Sequence, residues 1–220
     1  MRSAIILAGG HSRRVGRDKG LLTVDGKTLI ERVHDVAATL VQEVIVAVGS
    51  REQYESYSRL LHKCMVIMDK SRGGPLVGLW SALTITEGEA VLVLGCDMPL
   101  LSKEVLNLLF QKSAGHDAAI PRWHSGYIEP LHSVYRTDRC LAAAKKTLET
   151  GRKDFRSMIS NLRDVNYVSV DEIQKLDRTL LTFFNVNTPR DLEKLRSILR
   201  TSRTENHGVW ISSVSSSEHT

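Results

Sequence analysis

At 220 residues the chain is long enough for one large domain or two small ones, with a core that buries most of the unfolded surface. Hydrophobic residues at 42% and charged residues at 25% describe an ordinary soluble globular protein, and no apolar run approaches the roughly 20 residues of a membrane span. The net charge of +5 favours anionic partners in general, but no basic stripe interleaved with aromatics and no zinc-finger spacing accompanies it, which argues against nucleic-acid binding.

The chain enters an apolar run almost at once, which reads as a strand and not as a signal peptide, so a cytoplasmic location is expected. Four β-branched, nearly continuous runs follow one another: SAIILA (Ser3–Ala8), EVIVAV (Glu43–Val48), MVIMD (Met65–Asp69) and AVLVLG (Ala90–Gly95). Such runs suit strands buried on both faces of a parallel sheet. Helices with start signals lie between them. Thr28 with Glu31 three residues on forms a capping box, and Leu29, Ile30, Val33, Ala37 and Leu40 mark its inward face. Pro75 suits a first helical turn, and Ser102 caps KEVLNLLFQK. The second half is less regular. DAAIPRW and YIEPLHSVYR read as strands around a turn at Gly126, RTDRCLAAAKKTLE and DFRSMISNL as helices, and VNYVSV and LTFFNVN as two more short strands. Thr188 and Pro189 start a last helix with Leu192, Leu195 and Leu199 on its buried face, and residues 201–220 read as a flexible tail after a domain spanning 1–200. The expected fold is a single-domain, doubly wound α/β protein: a three-layer αβα sandwich with a Rossmann-like, mostly parallel sheet.

The loop after the first strand, LAGGHSRRVGRDKG (Leu7–Gly20), stands where open parallel sheets bind ligands. It is neither a Walker A loop, since five residues separate Gly10 from Gly16 and Arg17 follows, nor a GxGxxG fingerprint. Gly9 and Gly10 let the backbone pass close to a base or phosphate, while Ser12, Arg13, Arg14, Arg17 and Lys19 offer a hydroxyl and charge. That makes a phosphate cradle, or else a solvated basic turn. Asp97 ends an apolar run where a carboxylate is costly unless paired or metal-bound, the alternative being a cap for the helix beyond Pro99. Asp69 has the same position after the third run, although DKSRGG also reads as a plain turn. Asn187 suits helix capping as well as binding. Cys64, Cys96 and Cys140 form no CxxC pair, the eight histidines show no metal spacing, and no nucleophile elbow precedes His132 and Ser133.

The stretch LAGGHSRRVGRDK resembles the signature of nucleotidyltransferases that activate small phosphorylated substrates, and within them the MobA family of molybdenum cofactor guanylyltransferases, whose Gly-Gly pair it shares. Three later stretches are similar in the same order: MDKSRGGPLVGLWSAL, VLVLGCDMPLLS and FFNVNTPRDLEKL. The similarity runs from about Ser3 to Leu199. It implies the nucleotidyltransferase form of the fold, with Leu7, Ala8, Gly9, Gly10, Lys19, Asp69 and Asp97 at the nucleotide and Asp97 as the ligand of Mg²⁺. It further implies Arg14 and Lys19 on the triphosphate and the leaving pyrophosphate, and Asn185 and Asn187 near the acceptor. The implied reaction moves GMP from GTP to the phosphate of molybdopterin carrying molybdenum or tungsten, with transient contacts to proteins that make or receive the cofactor. One departure is GYIEPLHSVY, where Glu129 stands in place of the family's Gln. It suits a pair with arginine, a metal, or a different acceptor. A CTP-using or differently phosphorylated acceptor reaction, and a non-catalytic relative that binds the cofactor, are the competing readings.

Overall fold

The computed structural model describes residues 1–9, 18–69 and 73–214, with side chains described as far as Thr201. The four apolar runs form β1 (Arg2–Leu7), β4 (Glu43–Val48), β5 (Met65–Met68) and β6 (Ala90–Gly95). They pair in parallel, with β1 between β4 and β6 and β5 beyond β4. Both faces of β1, β4 and β6 are covered, so their inner steps are apolar, whereas β5 at the sheet edge leaves Met65 and Met68 half exposed, contrary to the expectation of burial on both faces. Ala4, Ile6, Val44, Val46, Leu92 and Leu94 pack on one side, and Ile5, Leu7, Ile45, Ala47, Val91 and Val93 on the other.

The sheet continues through β7 (Ala118–Arg122), β8 (His132–Arg136) and β9 (Val165–Ser169), giving the order β5-β4-β1-β6-β8-β7-β9. β8 runs antiparallel to β6 and β7, and β9 returns parallel to β7. One face is covered by α1 (Leu29–Ala38), α2 (Arg51–Leu60), α4 (Lys103–Lys112) and α7 (Val170–Gln174) through Ile30, Tyr57, Leu106 and Ile173. The other is covered by α3 (Pro75–Leu83), α5 (Thr137–Glu149) and α6 (Phe155–Ile159) through Leu79, Ala144 and Met158. This is the three-layer αβα sandwich expected from the pattern.

The start signals hold in detail. Thr28 Oγ1 accepts the Glu31 N–H at 3.3 Å while Glu31 Oε2 accepts the Thr28 N–H at 2.8 Å. Ser102 Oγ accepts the Val105 N–H, and Pro75 opens α3 behind Gly74 at φ 89. A small hairpin of β2 (Thr23–Val24) and β3 (Lys27–Thr28) precedes α1, turning at Asp25 and Gly26 with φ of 50 and 77. An Asp-Gly pair with both residues at positive φ is the favoured two-residue hairpin turn.

Three further expectations change. LTFFNVN forms no strand: Leu180 takes a left-handed φ of 53, and a 3₁₀ turn spans Leu181–Phe183. Thr182 is drawn into the interior by its own hydrogen bonds, from the Ser102 N–H at 3.1 Å and to Asp177 Oδ2 at 2.7 Å, and Phe183 packs in the core. Burial and side-chain hydrogen bonds override strand propensity here. YIEPLHSVYR becomes strand only from His132, because Pro130 interrupts it and Ile128 makes a lone bridge to Arg122. The last helix, α8 (Pro189–Val214), does not stop near 200 but continues through most of the segment read as a tail. Among the described residues no helix is long and apolar enough to cross a membrane.

Candidate active site

The strand order reverses at β1: the chain steps outward to β4 and β5, then returns to the far side of β1 with β6. In open α/β sheets the loops leaving the carboxyl ends of strands at such a reversal diverge and leave a crevice. A cleft of about 560 Å³ opens there, lined by Leu7, Gly9, Lys19, Gly49, Asp69 and Asp97 among others. Its floor is made close and smooth by missing side chains. A Cβ on Gly49 would stand 2.8 Å from the Gly9 carbonyl oxygen, so the two loop backbones touch where the cleft begins.

Lys19 and Asp97 of the cleft lining belong to a three-residue contact assembled from chain segments far apart. The Lys19 ammonium donates to Asn187 Oδ1 at 2.6 Å and lies 3.6 Å from Asp97 Oδ2. Asp97 follows β6 and Lys19 follows the β1 loop, while Asn187 is carried in by a segment whose Val186 N–H bonds to the Asp97 carbonyl at 2.9 Å. Burial pushes the Asp97 carboxyl up from its ordinary value, and the Lys19 charge opposes that. Asp69, on the opposite wall beside α3, is pushed up by burial as well.

Of the residues singled out in the sequence, Leu7, Gly9, Lys19, Asp69 and Asp97 share this cleft, and Asn187 joins through Lys19. Ala8 lies behind it, with its N–H on the Ala47 carbonyl and its own carbonyl on Gln53. Asn185 turns away to the Phe183 carbonyl at 3.0 Å. Helix capping at the start of α8 falls to Thr188, whose Oγ1 accepts the Asp191 N–H, so the Asn187 side chain is left for Lys19. Gly10 and Arg14, with Ser12, Arg13 and Arg17, lie outside the described residues. Glu129 meets a partner not foreseen for it: Oε1 accepts the Trp123 Nε1–H at 2.9 Å, and burial raises its carboxyl.

Sequence reasoning missed several contributors. Ser50, Pro75, Gly78, Cys96 and Leu131 also line the cleft. Gly49 and Ser50 at the end of β4 were findable, being the loop next to β1 in any sheet of this order.

A family model, the MobA-like NTP transferase domain, matches residues 4–165. The chain belongs to the MobA-like NTP transferase family. It is therefore a nucleotidyltransferase, and the matched span holds Lys19, Asp69 and Asp97. A probable molybdenum cofactor guanylyltransferase of Methanosarcina mazei is 38% identical to it, with 88% of this chain and 89% of that protein covered. Another, of Pelotomaculum thermopropionicum, is 36% identical, with 95% and 98% covered. Among solved structures, the molybdopterin-guanine dinucleotide biosynthesis protein A of Archaeoglobus fulgidus superposes with a TM-score of 0.77 at 30% identity, covering 91% of this chain and all of that one.

Proposed function

We propose that this nucleotidyltransferase transfers GMP from GTP to the terminal phosphate of molybdopterin carrying molybdenum or tungsten, yielding the guanine dinucleotide form of the cofactor and pyrophosphate. The observation that carries the proposal is the contact of Lys19 and Asp97, which line the cleft, with Asn187, in a chain whose relatives over most of its length bear the guanylyltransferase name.

An acceptor phosphate oxygen attacks the α-phosphorus of GTP, the bond from that phosphorus to the bridging oxygen breaks, and pyrophosphate leaves. A phosphate is already ionised at neutral pH, so the attack needs no general base. What the protein must supply is position and countercharge. Lys19 brings a compact ammonium to the triphosphate, and Asn187 Oδ1 accepts a hydrogen bond from that ammonium. Arg14 has the same task by its place in the loop. Gly9 and Gly49, whose backbones meet at the start of the cleft, line the place for the nucleoside, and Asp69 supplies a carboxylate acceptor to it.

The donor set suits Mg²⁺. Among the described residues no three or more His, Cys, Asp or Glu side chains gather into a cage, whereas Mg²⁺ prefers one or two carboxylates together with substrate phosphates and water. Asp97, partly desolvated and accompanied by one lysine, is the residue that would hold it. When bound, the ion neutralises phosphate charge and polarises the α-phosphate.

Thermal unfolding with Mg²⁺ and each nucleoside triphosphate in turn tests the base. A ligand at 100 times its dissociation constant adds about 2.7 kcal/mol, and GTP is expected to give the largest shift. A shift selective for CTP would contradict the guanylyl assignment.

A further inference from the structure

Behind the cleft, two side chains of α2 hold the ends of its most basic loop without lining the cleft themselves. Gln53 is 5% exposed and Tyr57 is fully buried. The Gln53 amide is fully used: Nε2 donates to the Ala8 carbonyl at 3.1 Å and to Asp18 Oδ2 at 2.9 Å, and Oε1 accepts the Gly49 N–H at 3.0 Å. Ala8 and Asp18 flank residues 9–17, so one amide ties both flanks to the turn after β4. The Tyr57 hydroxyl donates to the other Asp18 oxygen at 2.7 Å, and that oxygen also accepts the Gly20 N–H at 3.0 Å. Gly20 fits this arrangement because a Cβ there would collide with the Tyr57 hydroxyl. Between the two anchored residues, Asp18 and Gly20, stands Lys19.

A lysine stem is long and flexible, so where its ammonium points depends on how firmly its backbone is held. Here the Gly20 N–H just after Lys19 is hydrogen-bonded to the carboxylate of Asp18 just before it, and that carboxylate is gripped by two buried side chains. We infer that Gln53 and Tyr57 are positioning residues for the nucleotide: through Asp18 they fix the Lys19 ammonium at the triphosphate end of the cleft, and neither touches substrate. This rests on the proposed nucleotide reading of the cleft.

The test is equilibrium binding of GTP and of guanosine to the wild-type protein and to Tyr57→Phe, Gln53→Leu and Gly20→Ala. Tyr57→Phe deletes one hydroxyl and keeps the packing of the ring. It is expected to weaken GTP about tenfold and leave guanosine within twofold, with Gln53→Leu showing the same pattern more strongly. The losses from Gly20→Ala and Tyr57→Phe should not add in the double variant, since the added methyl takes the place of the deleted hydroxyl. A fall in melting temperature with an unchanged ratio of GTP to guanosine affinity would overturn the inference and leave these residues a purely structural role. Wild-type protein that binds guanosine as tightly as GTP would overturn the nucleotide reading itself, and this inference with it.

Discussion

Lys19 is held by two oxygens of different kinds, a carboxylate at 3.6 Å and a neutral amide at 2.6 Å. The amide does not compete for a metal as a second carboxylate would, so under the proposed function the ammonium would keep that partner if Asp97 held a cation. Lys19→Ala should therefore weaken GTP by at least tenfold and guanosine little, measured by equilibrium binding; equal losses would mean that the lysine does not meet the phosphates. His132 makes a different prediction. It is wholly buried, its Nε2 lies 3.2 Å from Thr182 Oγ1, and burial pushes its pKa down to about 3. The unfolded chain takes up a proton near pH 6.5 that the folded protein refuses until about pH 3. Stability is thus complete above pH 6.5 and falls below it, by about 1.4 kcal/mol per pH unit from this group. Urea unfolding at pH 6.5 and pH 5 should show His132→Leu losing about 2 kcal/mol less than the wild type over that interval. Equal losses would mean that another group dominates. At this scale Asp97 and Lys19 were readable because their motifs are local. The contact between Lys19 and Asn187 was not, since 168 residues separate the pair and only the fold brings them together.

Elements that announce themselves by local chemistry are the ones the sequence makes legible. The box of Thr28 and Glu31 starts α1 where expected, and Thr28→Ala should cost about 1 kcal/mol in chemical unfolding with activity retained. No measurable loss would mean that the hairpin before α1 holds that terminus instead. α2 shows the opposite case. REQYESYSRL is mostly polar, and that polarity conceals that Gln53 and Tyr57 face inward to Ala8 and Asp18. Nothing local marks their inward contacts, because Ala8 and Asp18 lie 35 to 45 residues away. LTFFNVN misled for the reverse reason: its aromatic and β-branched composition suits a strand, but its polar atoms are satisfied by Ser102 and Asp177 from other elements. The Asp25-Gly26 hairpin was legible from its turn residues and lay unread beside the stronger signal of α1.

For the molecule as a whole, function follows from the order of the strands. Because β6 returns beside β1, the loop after β1 and the end of β6 face one cleft, and the segment before α8 closes onto both through Val186 and Asn187. The alternating pattern of apolar strands and capped helices was enough to give the layers, since burial on both faces leaves a continuous apolar signature. The antiparallel placement of β8 was not legible, because a strand's direction leaves no mark in its composition. The most direct test of the account is transfer itself. Purified protein with Mg²⁺, molybdenum-loaded molybdopterin and GTP labelled at the α-phosphate should place the label in a pterin dinucleotide and release one pyrophosphate for each label transferred. Asp97→Ala, at an unchanged melting temperature, should lose at least about a hundredfold of that rate. Label transferred only from CTP, no label in the pterin product, or full activity in Asp97→Ala would contradict it.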